Sequence, residues 1–406
     1  EETIDTINDN VTTEPTTVDS SDMPNIIFMQ LETFIDPYEL NFLSYSEDPI
    51  PNFHKLMENY TSGYLTVPVV GAGTANTEFE VLTGMGIRFF GLGEYPYKTV
   101  LKNTTCESAA DDLGNIGYAT HALHNNGGNF YGRAKVFSQM GFDTFTSKEF
   151  MNVLQTTENG WAKDEILTHH IMEAMDTTKQ EDFVFTVSVQ GHGNYPETQV
   201  IENPKIKVEG IEDEALKNKW EYYVNQVYEM DQFVGDLIKA VEERNEPSVV
   251  VFYGDHLPTM GLKAEDLKSR YLYNTNYVIW DNIGLQKHDK NIPAYQLMSE
   301  VLNRLDIHSG TVFNYHQQRK GTKNYLSDLE LLQYDILYGK QYVYNGKAPI
   351  TEGHMVMGIR NVSLSSIVPQ LNSGYSLYGE NFTKYSRVYV NGEKQKSSFL
   401  NNTRIN

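Results

Sequence analysis

Three predominantly apolar runs constrain the fold of this 406-residue chain more than any other feature of its sequence. They cover residues 25–31, 183–189 and 248–253, and they are rich in β-branched or aromatic side chains. Runs without polar alternation are typical of strands that are buried on both faces of a parallel sheet. Helical patterns separate them, the longest over residues 219–244. The alternation predicts an α/β fold with a mainly parallel central sheet flanked by helices.

Shorter patterns add helices over residues 53–60 and 109–113 and strands over 63–70 and 118–124. Polar residues follow the predicted strands near their carboxyl ends. In chain order these residues are Glu32, Thr74, His124, His192 and the pair Asp255-His256. Because ligands bind beyond the carboxyl ends of the strands in such sheets, we expect these side chains to form an active site.

The stretch over residues 71–85 places two glycines and Thr74 before a predicted helix. Thr77 and Glu80 have the spacing of a capping box at the helix start. Because the helix dipole favours an anion there, the Thr74 hydroxyl is placed like a nucleophile for a phosphorus or sulfur ester. The alternative is that Thr74 only caps the helix.

Composition excludes several classes of function. The net charge of -22 argues against binding nucleic acid through a basic surface. With Cys106 alone, neither an intrachain disulfide nor a Cys-based zinc site can form. No apolar run approaches the ~18 residues that span a bilayer. Residues 1–22 are rich in Thr, Asp and Glu and lack Lys and Arg, which predicts a solvated linker to an upstream segment.

Beyond residue 351 the chain becomes rich in Ser, Asn, Tyr and Gly, and Asn391-Gly392 between short extended runs is a hairpin signal. We therefore expect three parts. They are an acidic tether over residues 1–24, a catalytic unit over 25–350 and a small β-rich region over 351–406.

Glu32, Asp255 and His256 offer two carboxylates and an imidazole, a donor set that suits Mn²⁺, Mg²⁺ or Zn²⁺. If Thr74 supplied a fourth ligand, the metal would lower the pKa of its hydroxyl. Each residue also has an ordinary structural interpretation. Glu32 could stand at a helix start, and Asp255 could cap a loop beside His256.

Four more residues could bind a phosphate ester. Arg133 could clamp a phosphate oxygen, and Tyr131 could stack on the rest of a polar head group. His124 and His192 lie in loops rich in Gly and Asn, where they could bind a phosphoryl group or protonate a leaving oxygen. The alternatives are a surface arginine beside a core aromatic ring and loop histidines with local partners.

Several ordered motifs resemble the extracellular catalytic domain of the lipoteichoic acid synthases, phosphoglycerol transferases of the alkaline phosphatase/sulfatase superfamily. The motifs are Gln-Leu-Glu-Thr-Phe at 30–34, Gly-Ala-Gly-Thr-Ala-Asn-Thr-Glu-Phe at 71–79, Asn-Phe-Tyr-Gly-Arg at 129–133, Gln-Gly-His-Gly-Asn-Tyr-Pro at 190–196 and Tyr-Gly-Asp-His-Leu-Pro at 253–258. Residues 334–340 are similar to the closing stretch of that family. The resemblance covers roughly residues 25–340 and implies a sulfatase-like fold.

The resemblance also implies roles for particular residues. One Mn²⁺ or Mg²⁺ would be bound by Glu32, Thr74, Asp255 and His256. Thr74 would be the nucleophile. The glycerophosphate head group would be held by His124, Arg133 and His192. Tyr131 stands where the synthases have a tryptophan, so stacking on the head group differs.

The implied reaction cleaves phosphatidylglycerol through a glycerophosphoryl-threonine, releases diacylglycerol and passes glycerophosphate to a glycan or a glycerophosphate polymer. The family carries an N-terminal bundle of membrane helices that this sequence lacks, so we expect an ectodomain at the extracellular face of a bacterial membrane. The region after residue 350 departs from the synthase pattern, which leaves the acceptor open.

Three other functions stay open at this point. Water could resolve the intermediate, which would make the protein a hydrolase. A two-metal phosphatase would need further ligands, for which His169-His170 is the remaining His pair. A catalytically silent protein could bind glycerophosphate polymers, although it would not need an activated nucleophile. A sulfatase is disfavoured, because Ala-Asn-Thr follows Thr74 in place of a Cys/Ser-x-Pro-x-Arg pattern.

Overall fold

The computed structural model describes residues 2–9, 11, 23–152, 154–350, 353–371 and 373–406. Its main feature is a nine-stranded sheet. In spatial order the strands are β10 (Ile292–Pro293), β3 (Thr61–Thr66), β9 (Asn274–Asp281), β8 (Ser248–Gly254), β1 (Asn25–Leu31), β6 (Asp182–Val187), β4 (Ala119–His124), β5 (Thr144–Ser147) and β11 (Val356–Met357). Only β9 runs antiparallel to its neighbours within this sheet of described residues, so the predicted mainly parallel sheet is confirmed.

Both faces of the sheet are covered by apolar side chains, which explains the three apolar runs. In β1, Ile26 and Phe28 pack into the core on one face, and Ile27 and Met29 pack into the core on the other. The first core also holds side chains of α3 (Thr74–Thr83), α4 (Ala109–Gly114), α5 (Arg133–Gln139), α8 (Ala294–Arg304), α9 (Thr311–Arg319) and α10 (Tyr325–Leu337). The second holds those of α2 (Pro51–Asn59), α6 (Glu165–Met175) and α7 (Glu214–Arg244). The predicted helical flanks are therefore confirmed.

The start of α3 differs from the predicted capping box. The N-cap is Gly73, whose φ of 102° is left-handed, and the helix begins at Thr74. Thr77 therefore lies inside the helix, where its hydroxyl donates a hydrogen bond to the Asp255 carbonyl at 2.8 Å. Glu80 instead accepts a hydrogen bond from the backbone N–H of Ile87. The capping-box interpretation was wrong because the left-handed glycine starts the helix four residues earlier.

The solvated linker predicted over residues 1–22 is corrected for the part that the structure describes. Residues Glu2–Asp9 form helix α1, which buries Ile4 and Ile7. Two apolar side chains at helical spacing pack on the first core despite the acidic surroundings. Residues 1, 10 and 12–22 lie outside the described residues.

The C-terminal region forms small antiparallel sheets, as predicted. Four strands pair in the order β12 (Ser363–Pro369), β13 (Tyr375–Glu380), β17 (Arg404–Ile405) and β16 (Phe399–Asn401). The predicted hairpin joins β14 (Tyr389–Val390) to β15 (Glu393–Lys394), and both Asn391 and Gly392 have positive φ. Because β11 of this region pairs with β5 of the main sheet, the division at residue 350 stays a prediction.

A further pair, outside the C-terminal region, joins β2 (Ser44–Tyr45) to β7 (Val208–Glu209).

Among the described residues, the structure holds no helix with the length and apolar character that a membrane crossing requires.

The fold contains one bridge whose contribution to stability depends on pH. His54 of α2 lies 2.9 Å from Asp36 through Nε2 and 2.9 Å from Asp48 through Nδ1. Burial lowers the pKa of His54, but hydrogen bonds and the charges of the two carboxylates outweigh it and raise the pKa to about 9. The raised folded-state pKa means that the stabilisation is present below the unfolded-state pKa and is lost as the pH rises through about 9.

We therefore predict that His54→Gln lowers the free energy of unfolding by roughly 1 kcal/mol at pH 6, since solvent screens part of the pair. The difference from the unmodified protein should shrink as the pH rises from about 6.5 to above 9. Urea unfolding at pH 6 and pH 9.5 measures both values. An equal loss at both pH values would contradict the assignment of a charged His54.

Candidate active site

The register of two central strands brings the predicted carboxylates together. β1 and β8 are parallel neighbours, and Leu31 pairs with Gly254 at their carboxyl ends. Glu32 follows Leu31 and Asp255 follows Gly254, so the two side chains emerge side by side. Both are buried, as is the neighbouring His256. Two adjacent strand ends therefore build the cluster that the sequence predicts.

His256 lies between the two carboxylates. Its Nε2 atom is 3.4 Å from Glu32 Oε1 and 3.4 Å from Asp255 Oδ2. Its Nδ1 atom lies 2.8 Å from the Leu257 carbonyl, which can only accept a hydrogen bond. Nδ1 therefore carries a proton, and Nε2 is the atom aimed at the carboxylates. One ligand atom from each of the three residues lies within 4.8 Å of the others.

The electrostatics of this cluster call for a positive charge. Burial and the charge of Glu32 raise the pKa of Asp255 to about 7. Burial lowers the pKa of His256, but the charge of Asp255 outweighs it and raises the pKa to about 9, so the two carboxylates favour a positive charge at Nε2, where a metal ion would take the place of the proton. Asp255 Oδ2 is buried and lacks a hydrogen-bond partner among the described residues. An orphaned carboxylate oxygen facing a second carboxylate and an imidazole fits a divalent cation.

Thr33 holds both carboxylates in place. Its hydroxyl donates to Glu32 Oε1 at 2.9 Å, and its backbone N–H donates to Asp255 Oδ1 at 2.7 Å. Its φ of 56° is left-handed, which is a strained conformation for a β-branched residue. Tyr223 of α7 donates to the Thr33 carbonyl at 2.6 Å and anchors this turn. Sequence reasoning missed Thr33, although its position next to Glu32 was a signal.

The Thr74 hydroxyl faces the same cluster. Thr74 is the first residue of α3, and its Oγ1 donates to Glu32 Oε2 at 3.0 Å. A Cβ atom at Gly73 would lie 2.8 Å from Val69 Cγ1, so the turn before Thr74 requires glycine for space as well as for its positive φ. Because the N-cap is Gly73, the interpretation of Thr74 as a mere helix cap is not what the structure shows.

A cleft of about 320 Å³ opens above Thr74 and His256, and Tyr131 and His192 form part of its wall. The Tyr131 ring stacks on Tyr95 at 5.6 Å. The His192 ring packs on Trp161 at 4.4 Å, and the Trp161 indole N–H donates to the Gly193 carbonyl at 2.9 Å. Lys219 of α7 also lines the cleft. Trp161 and Lys219 had no motif around them that could have revealed this position.

Arg133 and His124 lie behind the wall of the cleft. Arg133 is 1% exposed, and its Nε atom donates to both Glu78 carboxylate oxygens at 3.1 Å. The edge of the guanidinium that could clamp a phosphate is thus turned toward Glu78, which lies one turn after Thr74. His124 Nδ1 lies 2.7 Å from the Val187 carbonyl, and burial holds the pKa of His124 well below its usual range. A phosphate-binding role for these two residues stays a prediction.

The pair His169-His170 forms a separate cluster with Glu173 on α6. It lines another cleft, together with C-terminal residues such as Arg360 and Asn381. The described residues that line this cleft include none of those that line the cleft above Thr74. The structure therefore does not bring this pair to the Glu32 cluster, as a two-metal phosphatase would require.

Comparisons with known proteins agree with the fold. The family model described as Sulfatase matches residues 24–307. A relative from Rhizobium meliloti (strain 1021), named "Putative cyclic beta-1,2-glucan modification protein", is 31% identical over an alignment of 363 residues. The alignment covers 79% of this chain and 55% of the relative. The chain spans about half the length of the curated relatives it matches.

Solved structures show the same fold. The phosphoglycerol transferase GacH of Streptococcus pyogenes, in complex with sn-glycerol-1-phosphate, is 21% identical with a TM-score of 0.72, over 87% of this chain and 94% of that chain. The lipoteichoic acid synthase LtaP of Listeria monocytogenes is 21% identical with a TM-score of 0.57, over 77% of this chain and 81% of that chain. The resemblance and the fold class inferred from the sequence are thereby confirmed.

The charge balance of the cluster predicts opposite effects of Asp255→Asn with and without metal. In a chelator the variant should melt at or above the unmodified protein, because one of two facing carboxylates loses its charge. In Mn²⁺ the unmodified protein should gain roughly 2–6 °C and the variant should gain little. Thermal melts of both proteins in EDTA and in Mn²⁺ measure these differences in melting temperature.

The matched control is the double variant His169→Ala/His170→Ala, which removes the other His cluster found among the described residues. It should keep the full Mn²⁺ response. If the control loses the response and Asp255→Asn keeps it, the ion binds at α6 and the assignment is wrong.

Proposed function

The chain belongs to the Sulfatase family, and from this premise we propose that it is a metal-dependent phosphoglycerol transferase that acts through Thr74. The observation that carries the proposal is the 3.0 Å hydrogen bond from Thr74 Oγ1 to Glu32, inside the cluster that Glu32 forms with Asp255 and His256. A hydroxyl at a helix start, beside a cation site and at the base of a polar cleft, is the arrangement of an activated nucleophile.

Four residues are proposed to hold one Mn²⁺ or Mg²⁺: Glu32, Thr74, Asp255 and His256. The bound ion would lower the pKa of the Thr74 hydroxyl and offset negative charge on the phosphoryl group. Asp255 Oδ2, His256 Nε2 and Glu32 supply the ligand atoms that face one another. Thr33 fixes both carboxylates, so the ligand atoms are positioned before the substrate arrives.

The proposed reaction has two displacements at phosphorus. Thr74 Oγ1 releases its proton to solvent and attacks the phosphorus atom of phosphatidylglycerol, a new P–O bond forms, and the P–O bond to diacylglycerol breaks. The leaving oxygen takes up a proton, for which His192 on the cleft wall is the proposed donor. A hydroxyl of the acceptor then gives its proton to His192 and displaces Thr74 Oγ1 from phosphorus, and Thr74 Oγ1 regains a proton from solvent.

The head group is proposed to lie in the cleft against Tyr131 and His192. A cleft of about 320 Å³ with a polar wall suits a small polar group such as glycerophosphate. GacH was solved with sn-glycerol-1-phosphate, which supports this choice of ligand. His124 and Arg133 would act from behind the wall, where Arg133 would become available to phosphate only after it leaves Glu78.

The acceptor is proposed to be a cell-envelope glycan or a glycerophosphate polymer. LtaP is named as a lipoteichoic acid synthase, and the relative from Rhizobium meliloti is named for modification of a glucan. Both names support a carbohydrate-containing or polymeric acceptor. The reaction is proposed to take place at the extracellular face of a bacterial cell membrane, where a lipid donor would be available.

We predict that Thr74→Ala lowers release of diacylglycerol from phosphatidylglycerol in Mn²⁺ by at least about 10³-fold. Intact-protein mass should show a glycerophosphate adduct on the unmodified protein and none on Thr74→Ala. Thr74→Ser keeps a hydroxyl and should retain measurable release, which makes it the matched control. Circular dichroism verifies that the variants stay folded.

The same experiment separates the alternatives. Free glycerophosphate as the sole product, even when a glycan acceptor is present, would identify a hydrolase. Turnover of phosphatidylethanolamine in preference to phosphatidylglycerol would change the head group and leave the nucleophile intact. Undiminished turnover by Thr74→Ala would refute the covalent mechanism.

A further inference from the structure

An exposed apolar loop lies next to the candidate active site. It connects two short 3₁₀ turns, Ile87–Phe89 and Pro96–Lys98, and its tip is Gly91-Leu92-Gly93. The Leu92 side chain is fully exposed, and Phe89 and Phe90 are only partly covered. Leu92 is contiguous with two partly covered phenylalanines, so the loop presents an apolar patch rather than a single exposed side chain.

Exposed tyrosines continue this surface beyond the loop. Tyr338, at the end of α10, packs edge-to-face on Phe90 at 6.4 Å and is half exposed. Tyr334, one turn earlier, packs on Tyr338 at 6.0 Å and is also exposed. Side chains with an apolar body and a polar tip are enriched where protein meets the head groups of a bilayer.

A largely apolar groove of about 460 Å³ runs beside the loop, on the side of helix α3. Its wall includes Val69, Phe90 and Leu92, and it reaches Asn76, two residues after Thr74. Tyr95 also lines the groove, and its ring stacks on Tyr131 of the cleft wall. The groove and the cleft are therefore neighbours, separated by the stacked rings of Tyr95 and Tyr131.

The loop carries a local charge opposite to that of the chain as a whole, whereas α10, which carries Tyr334, adds the exposed Glu330 one turn earlier. The chain carries a net charge of -22, yet residues 59–77 contain no charged side chain. Residues 85–105 contain Arg88, Lys98 and Lys102 against Glu94 alone. The other acidic residue of the groove is Glu80, and burial raises its pKa to about 8, so it is largely protonated at neutral pH. An anionic surface complements this face and is repelled by most of the rest.

We propose that residues 86–98, together with Tyr334 and Tyr338, form a lipid-docking surface that seats the protein on an anionic phospholipid bilayer. Leu92 enters the acyl region, and the tyrosine hydroxyls lie at head-group level. Arg88 and Lys98 meet lipid phosphates. The mouth of the cleft then faces the membrane across the Tyr95–Tyr131 partition. The choice of a lipid partner rests on the proposed function, but docking itself requires no turnover.

The test uses vesicles of phosphatidylcholine with roughly one-third phosphatidylglycerol, and vesicles of phosphatidylcholine alone as reference. Co-sedimentation should show binding of the unmodified protein to the anionic vesicles. Leu92→Glu should weaken it roughly tenfold, because it removes an inserted side chain and adds a like charge. Leu371 of the C-terminal region is equally exposed, so Leu371→Glu is the matched control and should bind like the unmodified protein.

Two further measurements separate docking from chemistry. Thr74→Ala should bind the vesicles normally. Leu92→Glu should keep normal release of diacylglycerol from a monomeric short-chain phosphatidylglycerol and lose it on vesicles. If no lipid is cleaved but Leu92→Glu alone abolishes vesicle binding, the docking surface stands and the proposed function falls.

Three results would overturn the docking proposal. The first is equal vesicle binding by Leu92→Glu and the unmodified protein. The second is an equal loss of binding in Leu371→Glu. The third is absence of vesicle binding together with a Leu92-dependent dimer in sedimentation, which would assign the surface to a second copy of the chain.

Discussion

Two buried carboxylates beside one imidazole are the constraint on which the rest of this structure depends. Glu32 and Asp255 repel each other in an environment of low dielectric, and His256 offers both of them a single nitrogen atom. The fold keeps them close with neutral hydrogen bonds from Thr33. A Cβ atom at Gly191 would lie 2.1 Å from the Glu32 carbonyl, so even the neighbouring loop is shaped to approach this turn. The arrangement is costly for stability alone, and the proposed cation would offset that cost.

Thr74, the proposed nucleophile, is placed by the same elements that hold the cluster. Gln30 of β1 donates to the Thr74 carbonyl at 3.2 Å, and Thr77 of α3 donates to the Asp255 carbonyl at 2.8 Å. These bonds tie the start of α3 to the ends of β1 and β8. The position of Thr74 is therefore set by the central sheet, and a flexible loop is not needed to bring it to the cluster.

The sequence predicted those features that depend on patterns along the chain. The apolar runs that form β1, β6 and β8 could be recognised as strands because burial on both faces removes polar alternation. The polar residues at their ends were readable because parallel strands end at one edge of the sheet. Features that depend on tertiary contacts were missed or wrong. The pairing of Arg133 with Glu78 and the double hydrogen bond of Thr33 join residues that no pattern connects. The left-handed turn at Gly73 moved the start of α3 away from the predicted cap. Helix α1 was missed because the acidic composition of its segment outweighed the signal of its two buried isoleucines.

Anomalous diffraction at the manganese edge tests the proposed metal site most directly. It requires crystals of the protein grown with Mn²⁺. We expect one strong anomalous peak among Glu32, Asp255 and His256, within bonding distance of Thr74 Oγ1. A peak confined to His169, His170 and Glu173, with an ordered but metal-free Glu32 cluster, would contradict it.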